Sequence, residues 1–187
     1  MSTHYVIVDC EASGSTPFSG VLTEFGAVDL ASDRCFYARL WPSAPDPEHP
    51  AVSVVSPGSQ PEVMVSFDTA DGLVKRRLTE IRSAFATMQE WLHSLGAESD
   101  RSVFVSDNPA YDFLWIADGF DRSGLVNPFG WSGRRIGDLA AGLSGNWRNT
   151  QGWKKYRRTV HDHNPLNDAR GNAEALRFLL DNYGQQL

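Results

Sequence analysis

His4 to Ala12 reads HYVIVDCEA, and this segment decides the fold class. Tyr5-Val6-Ile7-Val8 is a short aromatic and β-branched run, the composition of a buried strand. The run ends in two acids, Asp9 and Glu11. Side chains alternate faces along a strand, so both carboxylates project on one side and Cys10 on the other. Two neighbouring anions repel unless a cation joins them, and hard oxygen donors select Mg²⁺ or Mn²⁺. Taken alone, D-x-E is also what a strand running out into solvent displays.

Downstream, Gly14-Ser15-Thr16-Pro17 and Gly20 break the strand. Val21–Leu30 and Arg34–Trp41 read as second and third strands, and their short polar linkers suit antiparallel neighbours. Residues 42–77 read as a Pro-rich insertion, with Pro42, Pro45, Pro47, Pro50, Pro57 and Pro61 barring a regular helix. Val63–Phe67 is the candidate for one extra short strand within it. Leu78, Ile81, Phe85, Met88, Leu92 and Leu95 recur at spacings of three and four, which predicts a helix ended by Gly96. Ser102–Ser106 reads as a strand. Asn108-Pro109 reads as a cap and first turn, with a helix running to about Ile116 or Phe120. A short helix over Asp138–Leu143 and a final one over about Pro165–Asn182, with Asn164 as its cap, complete the order. This is an α/β pattern: a mixed sheet, three antiparallel strands first and a parallel strand joined by a helical crossover, flanked by helices.

The chain has 187 residues, a length that suits a single domain spanning 1–187. Lys plus Arg total 17 against 23 for Asp plus Glu, a formal net charge of -6. On totals alone this is not a strongly basic nucleic-acid binder. No apolar run reaches the length of a membrane span, and Met1-Ser2-Thr3-His4 lacks the opening of a secretory signal. Cys10 and Cys35 are too few for a disulfide framework or a four-cysteine metal site. The expectation is a cytoplasmic protein with reduced thiols and no membrane association.

Further candidates for chemistry lie on the helices. Asp112 falls one turn into the helix after Asn108-Pro109, and Asp168 near the start of the last helix. An acid at a helix N-terminus is also favourable for purely structural reasons. His163 and Asp168 form H-x-x-x-x-D, with His161 two positions away, so either imidazole is a candidate for the reactive one. Trp147–Arg158 reads WRNTQGWKKYRR. Arg148, Lys154, Lys155, Arg157 and Arg158 interleave there with Trp147, Trp153 and Tyr156. Cations contact phosphates and aromatics stack on bases, so the mixture suits a single-strand groove; its structural alternative is a solvated face whose tryptophans pack on the core.

Four segments in order carry a family resemblance: Asp9-Cys10-Glu11-Ala12-Ser13-Gly14, Glu24-Phe25-Gly26-Ala27-Val28, Asn108-Pro109-Ala110-Tyr111-Asp112, and His163-Asn164-Pro165-Leu166-Asn167-Asp168-Ala169. The chain resembles the DEDDh group of DnaQ-like 3′→5′ exonucleases, on an RNase H-like fold. The first segment is similar to the family's D-x-E-T-T-G, the third to H-N-x-x-F-D and the fourth to H-x-A-L-x-D-A. Asp107 stands where the family has His, and Pro165 where it has Ala.

The resemblance implies that Asp9, Glu11, Asp112 and Asp168 hold two divalent metal ions, Mg²⁺ or Mn²⁺, and that His163 is the general base; its spacing to Asp168 prefers it over His161. It implies hydrolysis of single-stranded DNA or RNA from the 3′ end to nucleoside 5′-monophosphates. Asn108 and Phe18 join the basic-aromatic stretch as substrate-binding candidates, Phe18 as a base-stacking residue or, equally, a loop anchor. Several relatives are homodimers in which one subunit's basic patch serves the other's site, and the Pro-rich stretch or Trp147–Arg158 would play that part here. The alternative class is a non-catalytic nucleic-acid binding or regulatory module that keeps the fold. A third is a nucleotide phosphatase or small-molecule hydrolase using the same metals.

Overall fold

Strand β1 (Thr3–Ala12) carries the apolar segment and lies inside a sheet that has seven strands among the described residues, between an antiparallel and a parallel neighbour. The structure, a computed structural model, describes residues 3–40, 63–78, 80–96 and 101–183. Strands β2 (Leu22–Asp29), β3 (Cys35–Arg39), β4 (Val63–Thr69) and β5 (Gly72–Leu78) follow β1 as an antiparallel meander. Helix α1 (Ile81–Leu95) leads to β6 (Arg101–Ser106), which pairs parallel to β1 on its other side. Helix α2 (Pro109–Arg122) leads to the short β7 (Gly133–Arg135), parallel to β6. Helix α3 (Ile136–Ser144), a 3₁₀ turn at Gly152–Tyr156 and helix α4 (Pro165–Tyr183) complete the order. The sheet runs β5-β4-β3-β2-β1-β6-β7.

Alternation along β1 divides the core between the two faces of the sheet. Val6, Val8 and Cys10 pack with Phe25, Phe36, Phe85, Trp91, Trp115 and Phe120, on the side covered by α1 and α2. Ile7 packs on the opposite side with Val105, Ile136, Trp153, Ala169, Ala173 and Leu176, under α3 and α4. Asp9 and Glu11 share the parity of Ile7, so the strand delivers them on the α4 side.

One close approach fixes α4 against the sheet. Gly26 pairs with Asp9 across β1 and β2. A Cβ on Gly26 would stand 2.5 Å from both the N and the Cα of Leu166, closer than side-chain carbons approach backbone. Only a glycine lets the first turn of α4 rest on β2 at this point. The Asn164 side chain accepts from the N–H groups of Leu166 and Asn167 at 3.1 and 3.3 Å, and Pro165 begins the helix.

The sequence reading is corrected in several places. The stretch after Pro61 is not an irregular insertion: β4 contains the expected Val63–Phe67, and residues 72–78 form a further strand closing a hairpin on it. Residues 42–62, where the prolines lie, fall outside the described residues. Leu78 ends β5 instead of opening α1, which starts at Ile81. Helix α2 continues to Arg122. Asn108 occupies the expected cap position, but its side chain makes no capping bond; its carbonyl accepts from the N–H groups of Tyr111 and Asp112. The last helix runs one residue further, to Tyr183, which is 48% exposed.

Candidate active site

The C-terminal end of β1, the first turn of α2 and the first turn of α4 bring four carboxylates into one neighbourhood. Oxygens of Asp9, Glu11 and Asp168 all lie within 4.8 Å of one another. Asp168 is buried, and neither of its carboxylate oxygens makes a well-aligned hydrogen bond among the described residues, although His161 Nδ1 stands close to Oδ2. Asp112 is buried in the first turn of α2, outside this tightest set but electrostatically coupled to Asp9. The Cys10 thiol donates to the Asp112 carbonyl at 3.7 Å, tying α2 to the far face of β1.

The anions disturb one another strongly. Burial, then repulsion from Asp112, Asp168 and Glu11, pushes the Asp9 carboxyl up to about 9, with the Arg157 guanidinium working against that rise. Burial likewise raises Asp112 to about 7, against the Ser106 hydroxyl and backbone groups at Asn108 and Cys10. Burial also raises Glu11, while His163 lowers it. An acceptor-only carboxylate set, partly desolvated and with no well-aligned hydrogen bond on Asp168, fits hard divalent cations. These side chains can hold metal.

Two histidines sit on the solvent side of the carboxylates, in the loop before α4. His163 Nδ1 is 3.5 Å from Glu11 Oε1, and its side chain is 77% exposed. His161 Nδ1 is 2.7 Å from Asp168 Oδ2. The two rings are 4.6 Å apart. His163 adopts the left-handed region (φ 59), where the chain turns back toward α4. Spacing to Asp168 singled out His163, yet His161 is the imidazole in contact with Asp168. A fold that returns the chain on itself is not visible as a sequence interval.

The basic-aromatic stretch splits into two sets. Trp153 is only 1% exposed and belongs to the core, its Nε1–H donating to the Thr150 carbonyl at 2.9 Å. It is therefore no stacking surface for a base, which corrects the sequence expectation. Arg157 is largely buried over the Trp153 ring, 5.0 Å from its centroid. Its guanidinium donates to the Asn172 side chain, one helical turn beyond Asp168, and lies 3.8 Å from Asp107. Lys154 Nζ pairs with Asp107 at 2.5 Å. These contacts direct Lys154 and Arg157 inward. Trp147 is 80% exposed, and Arg148, Lys155 and Arg158 are exposed as well. Asn108 is exposed beside the carboxylates' helix. Phe18 is fully exposed at the tip of the β1–β2 loop, whose base is held by the Tyr111 hydroxyl donating to the Gly14 carbonyl at 3.4 Å.

Comparison with known proteins places this architecture. No family model matches the chain. Exonuclease I of Escherichia coli in complex with a dA16 oligonucleotide superposes with a TM-score of 0.50 at 12% identity, over 97% of this chain. This chain spans 41% of that protein's length. A 3′-5′ DNA exonuclease of Escherichia coli, Cap18, is 28% identical over 181 residues, covering 94% of this chain and 90% of that protein. The chain shares the RNase H-like fold of the Exonuclease I structure. Its mixed sheet, antiparallel strands first and parallel strands after, is the arrangement the sequence predicts. No helix among the described residues is long and apolar enough to cross a membrane.

Proposed function

We propose that this chain is a metal-dependent 3′→5′ exonuclease that hydrolyses single-stranded nucleic acid to nucleoside 5′-monophosphates. The convergence of Asp9, Glu11 and Asp168, with Asp112 coupled to them and His163 at the solvent edge, carries this reading. The likeness to Cap18, named as a DNA exonuclease, favours DNA as the substrate.

Asp9, Glu11, Asp112 and Asp168 would hold two divalent ions, Mg²⁺ or Mn²⁺, which supply Lewis-acid stabilisation of the entering and leaving oxygens. With Nδ1 of His163 turned toward Glu11, Nε2 is the nitrogen that accepts the proton of the attacking water. Water oxygen bonds to phosphorus, the bond to the 3′ oxygen breaks with its electron pair going to that oxygen, and a proton from solvent makes it the 3′ hydroxyl of the shortened strand. Phe18 stacks on the terminal base from its exposed loop. Asn108 lies at the edge of the site, and Trp147, Arg148, Lys155 and Arg158 offer the stacking and phosphate contacts of a single-strand path. Lys154, Arg157 and Trp153 act behind that path, as its support.

The test is cleavage of 5′-labelled single-stranded oligonucleotides of DNA and RNA in Mg²⁺ or Mn²⁺, with Asp9→Ala and His163→Ala alongside. A ladder shortening from the 3′ end, lost in both variants, is expected. If His161→Ala is inactive and His163→Ala is not, the base assignment is wrong.

A further inference from the structure

His161, His163 and Asp168 offer ligand atoms that all lie within 4.8 Å of one another. This set shares Asp168 with the carboxylate cluster but differs from it in chemistry: two imidazole nitrogens and one oxygen, where the cluster offers oxygens alone. Mg²⁺ takes oxygen ligands, whereas imidazole suits Zn²⁺ and its neighbours. His161 is not part of the motif that matches the exonuclease family.

We propose that His161, His163 and Asp168 form a zinc-class site, and that a transition-metal ion bound there shuts the active site. Three observations combine. The Asp168 carboxylate is 1% exposed, neither oxygen makes a well-aligned hydrogen bond among the described residues, and Oδ2 faces the His161 ring. His161 Nδ1 already stands 2.7 Å from Asp168 Oδ2. Both imidazoles are open to solvent, His161 at 52% and His163 at 77%, so an ion has a way in and the rings have room to turn. Bonds of about 2.1 Å at tetrahedral angles need ligand atoms roughly 3.4 Å apart, which small rotations of exposed rings provide. Three protein ligands leave a fourth position for water.

The consequence for activity rests on the exonuclease reading. His163 ligated to zinc has lost the lone pair that accepts the water's proton, and Asp168 is withdrawn from the carboxylate cluster. Zinc bound here and the metal-activated state are then mutually exclusive, so zinc inhibits in competition with magnesium, with the advantage of its preference for imidazole nitrogen.

The experiment has two arms on the full chain, wild type and His161→Ala. In the first, zinc is competed between the protein and a chromogenic chelator. In the second, cleavage of a single-stranded DNA oligonucleotide in saturating Mg²⁺ is titrated with ZnCl₂. We expect one tightly held zinc per wild-type chain, with affinity weakened about tenfold or more in His161→Ala, and half-inhibition moved to correspondingly higher zinc. Thermal melting shows whether the variant is folded. Equal zinc affinity and equal inhibition in the two proteins would overturn the proposal, because the ion would then be sitting on the carboxylates alone. Should the wild type not cleave DNA, the chelator arm still decides: weakened zinc binding in His161→Ala supports the site, and unchanged binding overturns it.

Discussion

Lys154 Nζ lies 2.5 Å from Asp107 Oδ2, just beyond the end of β6 and level with the acidic end of β1. Asp107 stands where the exonuclease family that the sequence resembles has His, and it anchors the 3₁₀ turn through Lys154 and, at 3.8 Å, Arg157. The pair is partly exposed, so Lys154→Ala changes stability by about 1 kcal/mol or less. Its charge is already spent on Asp107, so it adds little to phosphate binding. We expect Arg148→Ala to reduce the salt dependence of oligonucleotide binding by about 0.7 in log–log slope, and Lys154→Ala to leave that slope nearly unchanged. Fluorescence anisotropy in EDTA across a salt series measures both.

The crowded carboxylates should cost the metal-free protein stability. Asp9 and Asp112 are raised to about 9 and about 7. Their unfolded values lie near ~4, so between those limits the folded state binds more protons than the unfolded one. Stability therefore falls as pH rises from about 5 toward 9 in EDTA, first through Asp112 and then through Asp9. Divalent metal should reverse the trend, since it favours the ionised forms. Asp9→Asn should melt higher than wild type in EDTA at pH 8 while losing about a thousandfold or more in cleavage rate. Melting curves at pH 6 and 8, with EDTA or Mn²⁺, check the sign.

The two tryptophans of the basic stretch should part company. Trp153→Ala empties a core position and should cost about 3–5 kcal/mol of stability. Trp147→Ala touches an exposed ring, so its melting temperature should hold while oligonucleotide affinity drops by the ~1–3 kcal/mol of one stacked base. Denaturant unfolding and binding isotherms on the same two proteins separate the roles.

Gly26→Ala should act on the site from across the sheet. The added methyl meets the backbone of Pro165 and Leu166, which cannot rotate away as a side chain can. Overpacking of this kind costs about 1–3 kcal/mol, and here it shifts the first turn of α4, which carries Asp168. We expect the metal concentration for half-maximal activity to rise along with the loss of stability. A metal titration of the variant measures it.

What the sequence made legible, and what it hid, follows from the range of the interactions. The β1 strand, its two acids and the Asn164 cap of α4 are local patterns, and local patterns can be read directly. The β4–β5 hairpin was readable too, from Val63, Val65 and Phe67 in alternation and Gly72 directly after the two-residue turn Ala70-Asp71. The run of prolines before it and Lys75-Arg76-Arg77 on the edge strand obscured it. Charged edge strands look like loops because they are built not to pair further. Trp153 was misplaced for a geometric reason: a 3₁₀ turn aligns residues three apart, so Trp153 and Tyr156 face the same way. Tyr156 accordingly stacks on Phe178 at 3.8 Å. The salt bridge at Asp107 and the contact between His161 and Asp168 depend on chain segments meeting in space, which composition does not encode.

The most direct test of the central claim is a time course on 5′-labelled single-stranded DNA in Mn²⁺, wild type beside Asp9→Ala. We expect products shortening one nucleotide at a time from the 3′ end, abolished by EDTA and absent from Asp9→Ala. Cleavage that persists in Asp9→Ala or in EDTA would contradict metal-dependent catalysis at the carboxylates of β1, α2 and α4.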